Sequence, residues 1–119
     1  MTGPTGIAGP LGGYTQQDVT WDSTVSIDCS TADVFDLTLS GPSTVFNITG
    51  GVNGRKFMVR FKQDNAGNRV ISFGAMVRFG TDITGITLSN LGGLTDHVAF
   101  IYNGPAGKYD LIAYARGYS

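Results

Sequence analysis

The side chains that most often carry out catalysis or bind metal ions are scarce in this sequence. Its 119 residues include one His, His97, and one Cys, Cys29, and all nine acidic residues are Asp. Asp96 precedes His97, but neighbouring residues of a strand point to opposite faces, so the two cannot form an oriented acid–base pair. A single His and a single Cys also exclude a zinc site within one chain. We predict no catalytic, cofactor-binding or metal-binding residue and no enzyme; a site formed by three copies of His97 on a threefold axis stays open.

Three further features have structural explanations. Cys29 is in phase with Val25 and Ile27, which favours a small buried side chain over a reactive thiol. The Asp and Asn residues of 64–68 lack the alternating ligand spacing of a calcium loop and are typical of a turn. The Gly-rich run 50–54 lacks the Lys and the Ser or Thr of a phosphate loop, so it also predicts a turn.

Aromatic side chains are the remaining candidates for contact with a partner. A Tyr ring is flat and apolar with a polar tip, which suits stacking on a sugar or burial in a protein interface. Two of these rings, Tyr114 and Tyr118, are close to the C-terminus and flank Arg116. We predict that they contribute to a surface contact.

Glycine recurs at every third position near the start of the chain. The four residues are Gly3, Gly6, Gly9 and Gly12. This is the collagen repeat, in which three chains wind together only where every third residue lacks a side chain. The repeat predicts a trimerisation stalk over residues 1–13, with a flexible Gly/Pro-rich leader as the alternative. Because three or four triplets provide too little energy by themselves to hold three chains together, the head, residues 14–119, must supply the association energy.

The elements that would position these residues are predicted to be β-strands. Eighteen residues are Gly and none is Glu, which excludes a helix bundle, and 41% hydrophobic with 14% charged residues excludes disorder. One Cys closes no intrachain disulfide, and we find neither a signal peptide nor a run long enough to cross a membrane. We therefore expect assembly in a reducing cytoplasm without membrane insertion.

Charge divides the chain into two unlike halves. Residues 1–50 carry five Asp and no base, whereas residues 51–119 carry eight bases and four Asp. We expect the halves to attract each other within a subunit or between subunits. Bases that are matched by an acidic half do not form a nucleic-acid groove, so we expect no nucleic-acid partner.

Short runs of alternating apolar residues predict about eight to ten strands. The clearest is 57–62, in which alternate residues are apolar and two of the intervening ones are basic. Turn residues predict two hairpins, one through 64–68 and one through 103–107. We therefore expect an all-β fold, an antiparallel β-sandwich or jelly-roll-like domain.

The strand before the second predicted hairpin is apolar on both faces. In so small a domain, one of those faces is predicted to meet another subunit. The predicted trimer-interface residues are Val98, Phe100, Ile101 and Tyr102.

The C-terminal two thirds of the chain resemble a known family. The matching residues are Val70-Ile71-Ser72-Phe73, Val77-Arg78-Phe79-Gly80, Ile86-Thr87-Leu88-Ser89, the run 95–104, Tyr109 and Ala115-Arg116-Gly117-Tyr118. Over roughly residues 43–119, this pattern resembles a β-domain of virion proteins of tailed bacteriophages. That domain occurs at the C-terminal ends of tail fibres, spikes and other appendages, often after collagen-like or other trimeric stalks. A Trp is common in the family where this chain has Phe73 or Phe79.

The resemblance implies a non-enzymatic virion protein that is assembled in the host cytoplasm. We expect a homotrimeric fibre or tip domain that binds a host cell-surface receptor, either polysaccharide or protein. The alternative within this class is a capsid decoration or head-fibre protein that binds phage capsid or tail proteins. Two other classes stay open: a collagen-plus-head surface adhesin and a polysaccharide depolymerase that uses Asp pairs.

Overall fold

The fold consists of β-strands arranged in two sheets. A computed structural model describes residues 14–119, which contain nine strands and no helix. The strands are β1 (Gln16–Val19), β2 (Thr24–Asp28), β3 (Val34–Leu39), β4 (Ser43–Thr49), β5 (Lys56–Gln63), β6 (Val70–Phe73), β7 (Val77–Arg78), β8 (Thr95–Asn103) and β9 (Lys108–Tyr118). The all-β prediction is confirmed. The predicted stalk residues Gly3, Gly6, Gly9 and Gly12 lie outside the described residues.

Strands β1 to β6 alternate between the two sheets. The larger sheet has the order β1-β3-β5-β8-β9-β7, and the smaller sheet has the order β2-β4-β6. Strands β1, β3 and β5 are parallel to one another, and so are β2, β4 and β6. The chain therefore winds through three turns of a coil, each made of one strand from each sheet, as in a short solenoid.

The expected antiparallel pairing is wrong for most of the molecule. Only β5, β8 and β9 pair antiparallel, and β7 adds to β9 in parallel. An alternating apolar pattern marks a half-buried strand but does not reveal the direction of its neighbour. A strand in the opposite sheet provides the crossover that parallel neighbours require.

Of the two predicted hairpins, one is confirmed. Residues 103–107 connect β8 to β9, which pair antiparallel with Tyr102 opposite Tyr109. The hairpin predicted through 64–68 is wrong, because β5 belongs to the larger sheet and β6 to the smaller one. That segment turns the chain from one sheet to the other.

The inward faces of the two sheets form a single core. Phe46 of the smaller sheet meets Phe61 of the larger sheet edge to face, with ring centroids 5.2 Å apart. Cys29 has no exposed surface, as its phase with the core residues predicted. Such aromatic pairs add about 0.5–1.5 kcal/mol beyond the burial of their area.

The predicted trimer interface needs correction. Val98 and Phe100 are fully buried in the core of their own chain, so they cannot contact another copy. Tyr102 is half-buried against Tyr109, at a ring-centroid distance of 4.7 Å. Of the four residues, Ile101 is the one on the opposite, outward face of β8, where it pairs with Lys56.

The predicted attraction between the two halves is present within the chain. Arg55 contacts Asp33 at 3.0 Å, and Arg60 forms a bidentate ion pair with Asp36. Both pairs join the acidic half to the basic half. They link the second turn of the coil to the third.

Strand direction gives the coil two ends. One end, which contains Tyr14, consists of residues 14–15, 29–33, 50–55 and 103–107, and we call it the stalk end after the stalk predicted for residues 1–13. The far end consists of residues 20–23, 40–42, 64–69, 88–94 and 116–119. Strands of six to eight residues separate them, which is about 20–26 Å at roughly 3.3 Å per residue. Tyr14 therefore lies at the end of the coil opposite to the far end.

Candidate functional site

Two loops at the far end, 64–69 and 88–94, are joined through their backbones. The backbone amide of Asn68 donates to the backbone carbonyl oxygen of Asn90 at 2.7 Å. The backbone amide of Gln63 donates to the backbone carbonyl oxygen of Leu94 at 2.9 Å. Gly67 lies so close to the second loop that a Cβ on it would be 2.4 Å from the Asn90 oxygen. The two loops therefore form one packed unit, which we call the tip.

Buried and paired side chains fix the first loop of the tip. The Gln63 side chain, 2% exposed, donates to the Arg69 carbonyl at 2.8 Å and accepts from the Arg69 amide at 2.9 Å. Arg69 also contacts Asp64 at 2.9 Å, and this hydrogen bond holds the pKa of the Asp64 carboxyl below its usual range. Asn68 has a φ of 58°, a conformation that residues other than Gly seldom adopt. The loop is thus held in one conformation before any partner binds.

The second loop of the tip is attached to β8 and β9. The carboxylate of Asp96, 1% exposed, accepts hydrogen bonds from the Ser89 amide at 2.7 Å, the Ser89 hydroxyl at 2.8 Å and the Gly117 amide at 2.9 Å. Asp96 therefore points into the protein while His97 faces outward, as predicted from their adjacency in a strand. Asp96 positions the loop, and no part of its side chain is available to a ligand.

The predicted contact residues Tyr114, Arg116 and Tyr118 differ in their surroundings. The Tyr114 hydroxyl donates to the Thr87 carbonyl, and burial raises the pKa of Tyr114. Arg116 donates to the same carbonyl at 3.3 Å and lies 5.9 Å from the centre of the Tyr114 ring. Both residues thus support the segment that leads into the tip. Tyr118 is 53% exposed and lies edge-on to His97, with ring centroids 5.0 Å apart.

A cleft of about 280 Å³ opens beside the tip. Its lining residues are Asn68, Arg69, Val70, Ile71, Ile86, Thr87, Leu88 and Asn90. Within residues 14–119, the side-chain amides of Asn65, Asn68 and Asn90 make no hydrogen bond to the protein, and Leu91 is 67% exposed. Each amide offers two donors and one acceptor, and those of Asn68 and Asn90 line the cleft beside its aliphatic residues. This arrangement can bind a polar partner, and its lining contains no His, Cys, Asp or Glu side chain.

A second cleft, of about 390 Å³, lies on the outward face of the larger sheet and includes His97 and Tyr118. Arg60 and Asp36 pair across it at 2.6 Å. Partial burial raises the pKa of the Asp36 carboxyl, but hydrogen bonds from Arg60 and Gln16 outweigh this effect and hold that pKa below its usual range. The pair is therefore ionised and mutually neutralised at neutral pH.

The sequence patterns do not single out the tip. The Asn residues of 64–68 are typical of a turn, and Asn90 belongs to no motif. The available signal was that two Asn-containing loops flank paired strands, β5 and β8, at the same end of a sheet. Among the described residues, no group of three His, Cys, Asp or Glu side chains could hold a metal ion. The same part of the chain has no helix long and apolar enough to cross a membrane.

Neither a family model, nor a curated protein sequence, nor a solved structure significantly matches this chain. The resemblance to virion β-domains therefore stays a prediction.

Proposed function

We propose that this chain is a non-enzymatic structural protein of a phage virion, a homotrimeric fibre or tip domain that attaches to a host surface receptor. One observation carries the proposal. The residue that follows the collagen-like repeat, Tyr14, is at one end of the coil, and the rigid, amide-bearing tip is at the other. A stalk at one end and a binding surface at the opposite end is the arrangement that an attachment fibre requires.

The tip has properties that suit recognition. Its loops are fixed in advance by Gln63 and Asp96, so binding does not incur the entropy cost of ordering them. Free amides can hydrogen-bond to either a polysaccharide or a protein. Three tips on one stalk would bind together, and such multivalency can raise overall affinity by about 10²–10⁴ over a single contact.

A binding experiment tests the proposal with matched variants at the two ends. The double variant Asn68→Asp and Asn90→Asp keeps the size of both side chains but removes their donors. Asn53→Asp makes the same change at the stalk end. In the unmodified protein the Gly104 amide donates to the side-chain oxygen of Asn53 at 2.9 Å, and the Asp side chain keeps an acceptor for this bond. Binding of fluorescently labelled protein to host cells and to empty capsids is then measured by flow cytometry and co-sedimentation.

We expect wild type and Asn53→Asp to bind host cells and the double variant to bind at least about tenfold more weakly, a loss of roughly 1.4 kcal/mol. Binding to capsids instead of cells would favour the decoration or head-fibre alternative. Release of soluble oligosaccharide from host polysaccharide would contradict the non-enzymatic role. Equal binding by all three proteins would mean that the tip is not the contact surface.

A further inference from the structure

An apolar row crosses the outward face of the larger sheet. In register across four strands, Val34 pairs with Met58, Met58 with Ala99, and Ala99 with Ala113. The next row is polar on three of these strands, with Asp36, Arg60 and His97 side by side, and its position on β9 is Ala115. Outward positions of a sheet that faces water are normally polar. Four neighbouring apolar positions on this face therefore require an explanation.

Three residues of the row, Val34, Met58 and Ala99, line an open groove of about 450 Å³ at the stalk end of the sheet. The rest of the lining consists of Tyr14, Phe57 and Ile112 together with two charged residues, Asp33 and Lys56. Tyr14 is 89% exposed and Ile112 is 46% exposed. Single apolar residues on a surface are ordinary, but a contiguous apolar patch marks an interaction site.

The position of Tyr14 indicates what covers the groove. Gly12, the last glycine of the repeat, lies two residues before Tyr14, and three chains that share a triple helix converge on one axis. In a trimer joined by that repeat, Tyr14 of each copy would be close to the axis, and the groove beside Tyr14 would be close to the other two copies. So short a repeat also needs association energy from the head, which apolar burial at about 25 cal/mol per Å² can provide.

We infer that the apolar row, together with Tyr14 and Ile112, is the surface through which three copies of this chain pack around their common axis. The inference rests on the proposed trimer and specifies its interface. It replaces the sequence-based assignment to Val98 and Phe100. Ile101, which also belonged to that assignment, lies beside the row on the same outward face of β8.

Charge substitutions on the two outward sheet faces test the interface. Ile112→Asp puts a charge in the groove, and Val70→Asp puts one at a comparably exposed position, 58%, on the outward face of the smaller sheet. About half of each residue's surface is exposed and neither residue belongs to the buried core, so neither change disturbs the core. Mass is measured by light scattering at micromolar concentration, with circular dichroism to verify folding. We expect wild type and Val70→Asp at three times 12.5 kDa and Ile112→Asp at 12.5 kDa.

Cross-linking provides a second test that does not depend on disrupting the trimer. Cys29 is fully buried, so Ile112→Cys adds the one accessible thiol in the described residues, and Val70→Cys is its control. A short bis-maleimide should link copies of Ile112→Cys as covalent dimers and leave Val70→Cys unlinked.

The outcomes separate the interface from the trimer itself. A wild-type mass of one chain would overturn both the proposed trimer and this inference. A trimeric wild type with a trimeric Ile112→Asp and no cross-linking through Ile112→Cys would overturn the interface alone. Equal dissociation or equal cross-linking of the Val70 variants would overturn it as well.

Discussion

At the scale of single residues, buried polar side chains hold the loops of this protein in place. Asp96 and Gln63 are almost completely buried, and each satisfies backbone groups of a loop instead of another side chain of the core. A buried polar group without partners would cost about 1–3 kcal/mol. Their burial is therefore tolerated because the loops supply the partners.

Asp96→Ala should destabilise the protein by about 2–3 kcal/mol, because three donors lose a charged acceptor. Urea denaturation at neutral pH and a fixed protein concentration measures the change in the free energy of unfolding. Asp22→Ala is the control, since within residues 14–119 the Asp22 carboxylate bonds only to its neighbour Ser23. An Asp96→Ala protein as stable as this control would refute the positioning role.

At the scale of elements, the close approach of the two tip loops depends on Gly67. This residue has a φ of +71°, and an added Cβ would be 2.4 Å from the Asn90 oxygen and 2.9 Å from the Gly92 nitrogen. Gly54, at the stalk end, has a φ of +81° and no atom within 4 Å of such a Cβ. The two glycines share the same backbone requirement and differ in their neighbours.

Gly67→Ala should therefore cost more stability than Gly54→Ala, by about 1–3 kcal/mol from overpacking against the second loop. Both variants carry a similar left-handed backbone penalty of about 1–2 kcal/mol. Thermal and urea unfolding compare them, and hydrogen exchange should show faster exchange of the Asn68 amide in Gly67→Ala only. Equal losses in the two variants would mean that the loops are not tightly packed.

Sequence patterns predicted the strands better than their arrangement. The alternation in 57–62 correctly located β5, and the Gly-rich turn 103–107 correctly joined β8 to β9. The pairing direction of β1 to β6 was not predictable, because inward and outward residues alternate identically in parallel and antiparallel strands. The polar strand β1 was missed because its outward and edge positions carry no apolar alternation.

The tip and the apolar row were harder to predict because both depend on which strands become neighbours. Asn68 and Asn90 are 22 positions apart, and they meet only because β5 and β8 pair. Likewise, Met58 and Ala99 form part of one row only in this register. Sequence alone placed Val98 and Phe100 at an interface because it could not tell which apolar face of β8 belongs to the core.

At the scale of the whole molecule, the stalk and the head are expected to have separate tasks. Replacing Gly6 and Gly9 with Ala should prevent the triple helix, because a side chain at those positions does not fit at its axis. We expect the head to remain trimeric, since the apolar row supplies the association energy. Light scattering of this variant tests whether the head alone keeps three copies together. Dissociation of the variant into single chains would mean that the stalk supplies the association energy.

The solution mass of the unmodified protein tests most directly whether three copies of this chain form one attachment unit. Light scattering at micromolar concentration should give three times 12.5 kDa, independent of concentration over a tenfold dilution. A mass of 12.5 kDa under these conditions would contradict the trimeric attachment unit.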